Sequence, residues 1–173
     1  MASDSLSVIP STILVPVDFS PSSRQAVDEA VELAEKFGAK LYLLHIVPES
    51  SGLILPQGVT EQSLIDTNKR NATEQFERSL SDLKSRGLKV TTRVEVGGDV
   101  AGTILDVIER EHIDLIVIST HGLSGWYPAI FGSVTEKLLR LVPCPLLLLR
   151  TPKPKSSARV PSERLMEWWT VRA

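Results

Sequence analysis

Leu115-Ile116-Val117-Ile118-Ser119-Thr120-His121-Gly122, followed ten residues later by Gly132-Ser133-Val134-Thr135-Glu136, decides the fold. The first part is a short run of branched apolar residues, the pattern of a buried strand, ending at a glycine. The second part opens a helix that carries Val134, Leu138 and Leu141. A helix start offers backbone N–H groups without intrahelical partners, and a partial positive charge, so a phosphate can rest there. Glycine lets backbone approach a ligand where a side chain would collide. The spacing is too long for a Walker A loop, and no Lys follows the second glycine, so a P-loop NTPase is excluded.

Upstream, the chain alternates between strand and helix patterns. Residues 12–17 form an apolar run with Pro16 near its end. Ser20-Pro21 starts a helix, with Ser as N-cap and Pro in the first position. Ala26, Val27, Ala30, Leu33, Ala34 and Phe37 form its apolar face and Gly38 ends it. Residues 41–47 are a second strand, stopped by Pro48. A Ser-, Gly- and Pro-containing loop precedes a long helix, expected over about 61–86, with Leu64, Ile65, Ala72, Phe76, Leu80 and Leu83 inward. Residues 90–96 alternate polar and apolar, so one face is expected to be wetter than the other. Gly97-Gly98 is a turn. Asp99 is placed to cap a helix carrying Val100, Ile104, Val107 and Ile108. Residues 114–118 and Pro145-Leu146-Leu147-Leu148-Leu149 are the fourth and fifth strands.

Five alternations of strand and helix predict an α/β fold: a five-stranded, mainly parallel sheet with helices on both faces. Two strand orders compete, 2-1-3-4-5 and 3-2-1-4-5. The third strand alone alternates, which suits an edge, and the second is apolar throughout, which suits the interior. Order 3-2-1-4-5 is therefore expected. It leaves the four leucines of the fifth strand on the other edge, where an uncovered apolar strand invites aggregation. The same strand of a second subunit is the simplest cover, which predicts a homodimer through Pro145 to Leu149.

Composition limits the function classes. The 173 residues are 42% hydrophobic and 23% charged, with net charge −2. That suits one soluble domain and gives no reason to expect nucleic acid or an anionic membrane as partner. Cys144 is the lone cysteine, so no disulfide framework and no CxxC zinc or redox pair exists. The first ten residues lack a basic, then apolar, leader, and no run reaches the ~18 apolar residues that span a bilayer. A cytoplasmic protein is expected. The organisation expected is a lead at 1–11, a domain at 12–150 and an extension at 151–173 containing Trp168-Trp169.

In order 3-2-1-4-5 the sheet reverses between strands one and four, and ligands bind there, beyond the C-terminal strand ends. Val17-Asp18-Phe19-Ser20 and Ser119-Thr120-His121-Gly122 meet at that point. These residues, with His45-Ile46-Val47, Gly132-Ser133-Val134-Thr135-Glu136-Lys137 and Pro143-Cys144-Pro145, resemble the universal stress protein family over about residues 10–150. The resemblance implies a dimeric, Rossmann-like fold of the adenine nucleotide alpha hydrolase type, often holding ATP or AMP between strands one and four. It also implies a regulatory role in stress response with little or no turnover. The family's nucleotide-binding pattern, G-x2-G-x9-G-S/T, matches here at Gly122, Gly132 and Ser133, with Ser119 in place of its first glycine. By the same resemblance Asp18 faces the adenosine end, backbone at Val47 holds the adenine edge, and Gly132, Ser133 and Val134 hold phosphates. Pro16, Val17, Ser119, His121 and Thr135 complete the implied site.

No Lys or Arg occurs between Ile118 and Lys137, and the loop carries Leu123, Trp126, Tyr127, Pro128, Ile130 and Phe131. A triphosphate there would need a metal such as Mg²⁺ to offset its charge, and a monophosphate would need less. AMP and ATP therefore both stand as ligands. Against these readings, Asp18 can be a simple helix cap, His45 a satisfied core residue, His112 a solvated one, and Cys144 a small buried side chain. No nucleophile pattern surrounds His121 and no histidine pair has metal-ligand spacing, so no catalytic or metal residue is assigned. A slow ATPase and a dimeric interaction module without nucleotide are the competing functions. A phosphoacceptor receiver domain is rejected, since Asp18 stands alone at the end of strand one.

Overall fold

The computed structural model of the protein describes residues 9–49, 56–120 and 132–150. Nine elements follow in order: β1 Thr12–Pro16, α1 Pro21–Phe37, β2 Lys40–Pro48, α2 Glu61–Ser85, β3 Val90–Gly97, α3 Val100–Arg110, β4 Leu115–Ser119, α4 Ser133–Leu141 and β5 Leu146–Leu149. The strands form one parallel sheet of order β3-β2-β1-β4-β5, as the strand patterns imply.

Local chemistry sets the helix limits. Ser20 accepts a hydrogen bond from the Ser23 N–H and Pro21 occupies the first turn of α1. At its far end Gly38 takes φ 69°, a left-handed conformation that glycine adopts without strain. At the start of α2, Thr60 and Ser63 cap one another reciprocally.

The sheet has two apolar faces, so it has two cores. Ile13, Val15, Leu41, Leu43 and Val117 pack with Ala26, Ala30 and Ala34 of α1 and Phe76 and Leu83 of α2. On the other face Leu14, Tyr42, Leu44, Ile46, Ile116 and Ile118 pack with Ile104, Val107 and Ile108 of α3 and Leu138 of α4. Helices thus cover both faces.

Some local expectations change. The side chain of Asp99 sits at the N-cap of α3 but makes no cap hydrogen bond, and it pairs instead with Lys137 of α4. Leu141 does not join Leu138 inside: it is 54% exposed, and Val142, the next residue, packs against the second core instead. On β3 the alternation separates Val90 and Val94, packed on the α2 side, from Glu95, which pairs with Arg110 of α3 at 2.7 Å. No β3 residue is fully buried, as befits an edge.

Candidate functional site

The first four strands each lead to a helix, and the candidate site lies where β1 and β4 separate. Backbone direction explains the separation. The Val17 N–H donates to the Leu44 carbonyl at 2.7 Å, and the Lys40 N–H donates to the Ser11 carbonyl at 2.8 Å. Odd-numbered backbone groups of β1 therefore face β2, and alternation turns the Pro16 backbone toward β4. Proline has no N–H to continue that ladder. The β1–β4 register accordingly covers only Ile13↔Leu115 and Leu14↔Ile116, whereas β1–β2 pairing runs on to Pro16↔Leu44. Beyond Leu14 the two strands are no longer paired, and the space between their C-terminal ends is the candidate crevice.

The wall after β1 is a tight turn. The Asp18 carboxylate accepts the Ser20 N–H at 3.0 Å and so closes the turn ahead of α1, whose cap is Ser20 and not Asp18. Phe19 takes φ 61°, a conformation a bulky side chain rarely adopts and one that needs outside support. Support comes from rings: Phe19 lies 4.7 Å from His45 and 5.3 Å from Phe76, centroid to centroid. The His45 Nδ1–H donates to the Val17 carbonyl at 2.7 Å, which ties the turn to β2. Burial pushes the His45 pKa down, opposed in part by that hydrogen bond and by Asp18, so the ring is held neutral. His45 is thus a satisfied residue as expected, and it also braces the crevice. Only its position beside the end of β1 could have signalled that role.

The other wall joins β4 to α4. Ser119, Thr120 and Thr135 are buried polar residues. Thr135 Oγ1 donates to the Ser119 carbonyl at 3.3 Å, the Gly132 N–H donates to the Thr120 carbonyl at 3.2 Å, and the Thr120 N–H donates to the Leu149 carbonyl at 2.9 Å. These bonds fix the α4 N-terminus beside β4. The first intrahelical bond of α4 runs from the Glu136 N–H to the Gly132 carbonyl, so the N–H groups of Ser133, Val134 and Thr135 lie ahead of the helical ladder. With its hydroxyl turned to Ser119, Thr135 offers this end its N–H. Gly132 itself has φ −58° and ψ 150°, open to any residue, and a Cβ there would meet only the Thr120 carbonyl, at 3.8 Å, among the described residues.

Pro16, Val17, Asp18, Ser119, Gly132, Ser133, Val134 and Thr135 therefore gather at one end of the sheet, while His121 and Gly122 lie outside the described residues, as do Trp126, Phe131 and Trp168-Trp169. Val47 is displaced by one residue from the place expected for it. The Leu44 and Lys40 bonds to β1, and the Leu41 N–H donated to the Lys89 carbonyl, fix the alternation of β2. They turn the Val47 backbone toward β3, where its register partner is Val96, and the Ile46 backbone toward the crevice. Counting by twos from a paired residue would have found Ile46, but that pairing is invisible in sequence.

Among the described residues no cluster of three His, Cys, Asp or Glu could hold a metal, and no helix is long and apolar enough to cross a membrane. Cys144 is half-buried against the second core, and burial raises its thiol pKa.

A five-stranded parallel sheet that reverses its order between β1 and β4, with helices on both faces, defines a Rossmann-like α/β protein rather than a barrel or a bundle. The sequence pattern of the Universal stress protein family matches residues 11–150, and the chain belongs to that family. A universal stress protein of Methanocaldococcus jannaschii is 28% identical over 141 residues, 82% of this chain and 82% of its own length. The solved universal stress protein UspA from Lactobacillus plantarum is similar at TM-score 0.72 and 26% identity, over 81% of this chain and 97% of that one. Two solved relatives share the fold at lower identity. One, from Arabidopsis thaliana with AMP bound, has 17% identity and TM-score 0.59 over 83% of this chain and 94% of that one. The other, from Archaeoglobus fulgidus in complex with dAMP, has 21% identity and TM-score 0.56 over 81% and 98%.

Proposed function

We propose that this chain is a cytoplasmic regulator of stress response that binds an adenine nucleotide, AMP or ATP, in the β1–β4 crevice with little or no turnover. The observation that carries the reading is the α4 N-terminus, held at the switch point with the N–H groups of Ser133 to Thr135 ahead of the helix. A glycine that the described backbone does not require precedes it, which suits close approach of a phosphate. The nucleotide-bearing proteins of the same fold support the choice of an adenine ligand. In this arrangement the base lies along β2, where the Ile46 backbone faces, and Asp18 borders the ribose. Ser119, His121, Gly122, Gly132, Ser133 and Val134 surround the phosphates. Mg²⁺ would accompany ATP, offsetting charge that N–H groups alone do not neutralise.

The test is calorimetric titration with AMP and with ATP, each with and without Mg²⁺. Saturable one-site binding of an adenine nucleotide is expected, and its loss in Gly132→Val. A protein that binds neither nucleotide would be an interaction module instead.

The apolar β5 edge supports a homodimer. Leu147 is 37% exposed on an edge strand, and Leu139 and Leu141 of α4 are also exposed. Light scattering is expected to give a dimer for the full chain and a monomer for Leu147→Lys.

A further inference from the structure

Lys137 is the first cation of α4. It stands four residues after Ser133, on the same side of the helix. Ser133, Glu136, Lys137 and Arg140 line a groove of about 210 Å³ on the exposed side of α4, continuous with the helix N-terminus. Four residues of helix rise about 6 Å. Side chains on a helix lean toward its N-terminus, so the four-carbon stem of lysine spans that distance back toward Ser133.

In the structure Lys137 Nζ donates to Asp99 Oδ2, and this bond is the chief reason the Asp99 carboxyl lies below its ordinary pKa. The side chains are 44% and 58% exposed, so water screens the pair and little holds it together. Asp99 stands at the N-cap of α3, where Lys137 is the first cause of its lowered pKa and the backbone N–H groups of Gly102 and Ala101 add to it. Arg140, a turn farther on, donates to Glu136 at 2.7 Å.

We propose that Lys137 reads the length of the phosphate chain: it stays on Asp99 beside a monophosphate and turns to the distal phosphates of a di- or triphosphate. The inference rests on the adenine-nucleotide reading of the crevice. A monophosphate is served by the N–H groups of the first turn and the helix dipole. Each further phosphate adds charge that N–H groups neutralise poorly and an ammonium neutralises well. When Lys137 turns, the Asp99 carboxylate is uncovered near the added charge and repels it, so Asp99 sets the discrimination against longer chains.

Titration of the full chain with AMP and ATP, without divalent metal, tests this. Lys137→Met is expected to weaken ATP about tenfold and AMP less than about twofold, the usual scale for one charge-assisted contact. Lys137→Arg, which keeps the charge, retains most of the ATP affinity. Asp99→Asn strengthens ATP about threefold by removing both the competitor and the repulsion. An unchanged ratio of ATP to AMP affinity in Lys137→Met overturns the proposal while leaving the crevice reading intact, because AMP is still bound. Failure of the wild-type chain to bind either nucleotide overturns both.

Discussion

β1 and β4 are sealed at one end and parted at the other. At the N-terminal end of the pair, the Asp114 carboxylate accepts three hydrogen bonds: from the Ser11 N–H at 2.8 Å, Ser11 Oγ at 2.5 Å and the Thr12 N–H at 3.0 Å. At the C-terminal end, Pro16 withholds a donor, the register lapses after Leu14↔Ile116, and Asp18 bends its carboxylate to its own turn. One residue type, aspartate, closes the first end and borders an opening at the second. The difference teaches that the crevice is not slack in the sheet. It is the place where backbone donors are spent on turns and on a helix start instead of on the ladder.

The contrast can be broken most forcefully at its boundary. Leu14 is fully buried at the last β1–β4 pair, and Leu14→Ala is expected to cost about 2–5 kcal/mol in urea unfolding, because the sheet cannot collapse onto the cavity. Asp114→Ala unseals the tied end. We expect a loss of about 1–3 kcal/mol from the orphaned donors, with nucleotide affinity unchanged. Asp18→Ala inverts that outcome: less than about 1 kcal/mol of stability, as for a lost cap, but nucleotide affinity down at least about tenfold by calorimetry. Pro16→Ala restores a donor facing β4. Its stability should move by only a few tenths of a kcal/mol, since a new hydrogen bond roughly offsets the lost proline rigidity. The crevice should narrow and bind nucleotide several-fold more weakly.

The smallest effect concerns pH. Burial lowers the folded pKa of His45 below 6.5, so the unfolded chain holds this proton more tightly. Stability is therefore complete above pH 6.5 and is lost as pH falls through the folded pKa. Unfolding measured from pH 7.5 down to 5 (roughly the histidine window) should show this slope in the wild type. His45→Gln should flatten it.

The large features were legible because each has a local cause. Ser20-Pro21 and Gly38 bracket α1 by capping and by φ alone. Apolar β2 and alternating β3 give the strand order through burial, which composition reports directly. What escaped depends on partners distant in sequence. Asp99 looked like a cap, and only the packing of α3 beside α4 shows Lys137 taking its carboxylate. Val47 and Ile46 differ by one step of a strand, and only the pairing with β1 says which backbone faces the crevice. Leu141 fits the helical spacing, yet Val142 and not Leu141 follows Leu138 against the second core. The left-handed Phe19 has no sequence signature, since the rings of His45 and Phe76 stabilise a conformation that local preference opposes.

The sealed end also sets a timetable. Ser11 and Asp114 are 103 residues apart, so β1, placed at the centre of the sheet, waits for β4. At a synthesis rate of about 5–20 residues per second, that wait lasts roughly 5–20 s. During it Ile13, Leu14 and Val15 have β2 on one side and nothing of their own chain on the other. The nascent protein therefore carries an open apolar strand edge until β4 has been made. Pairing with β4 closes that edge and parts the same two strands at their far ends, so the opening between them exists only once the chain has hidden its most adhesive surface.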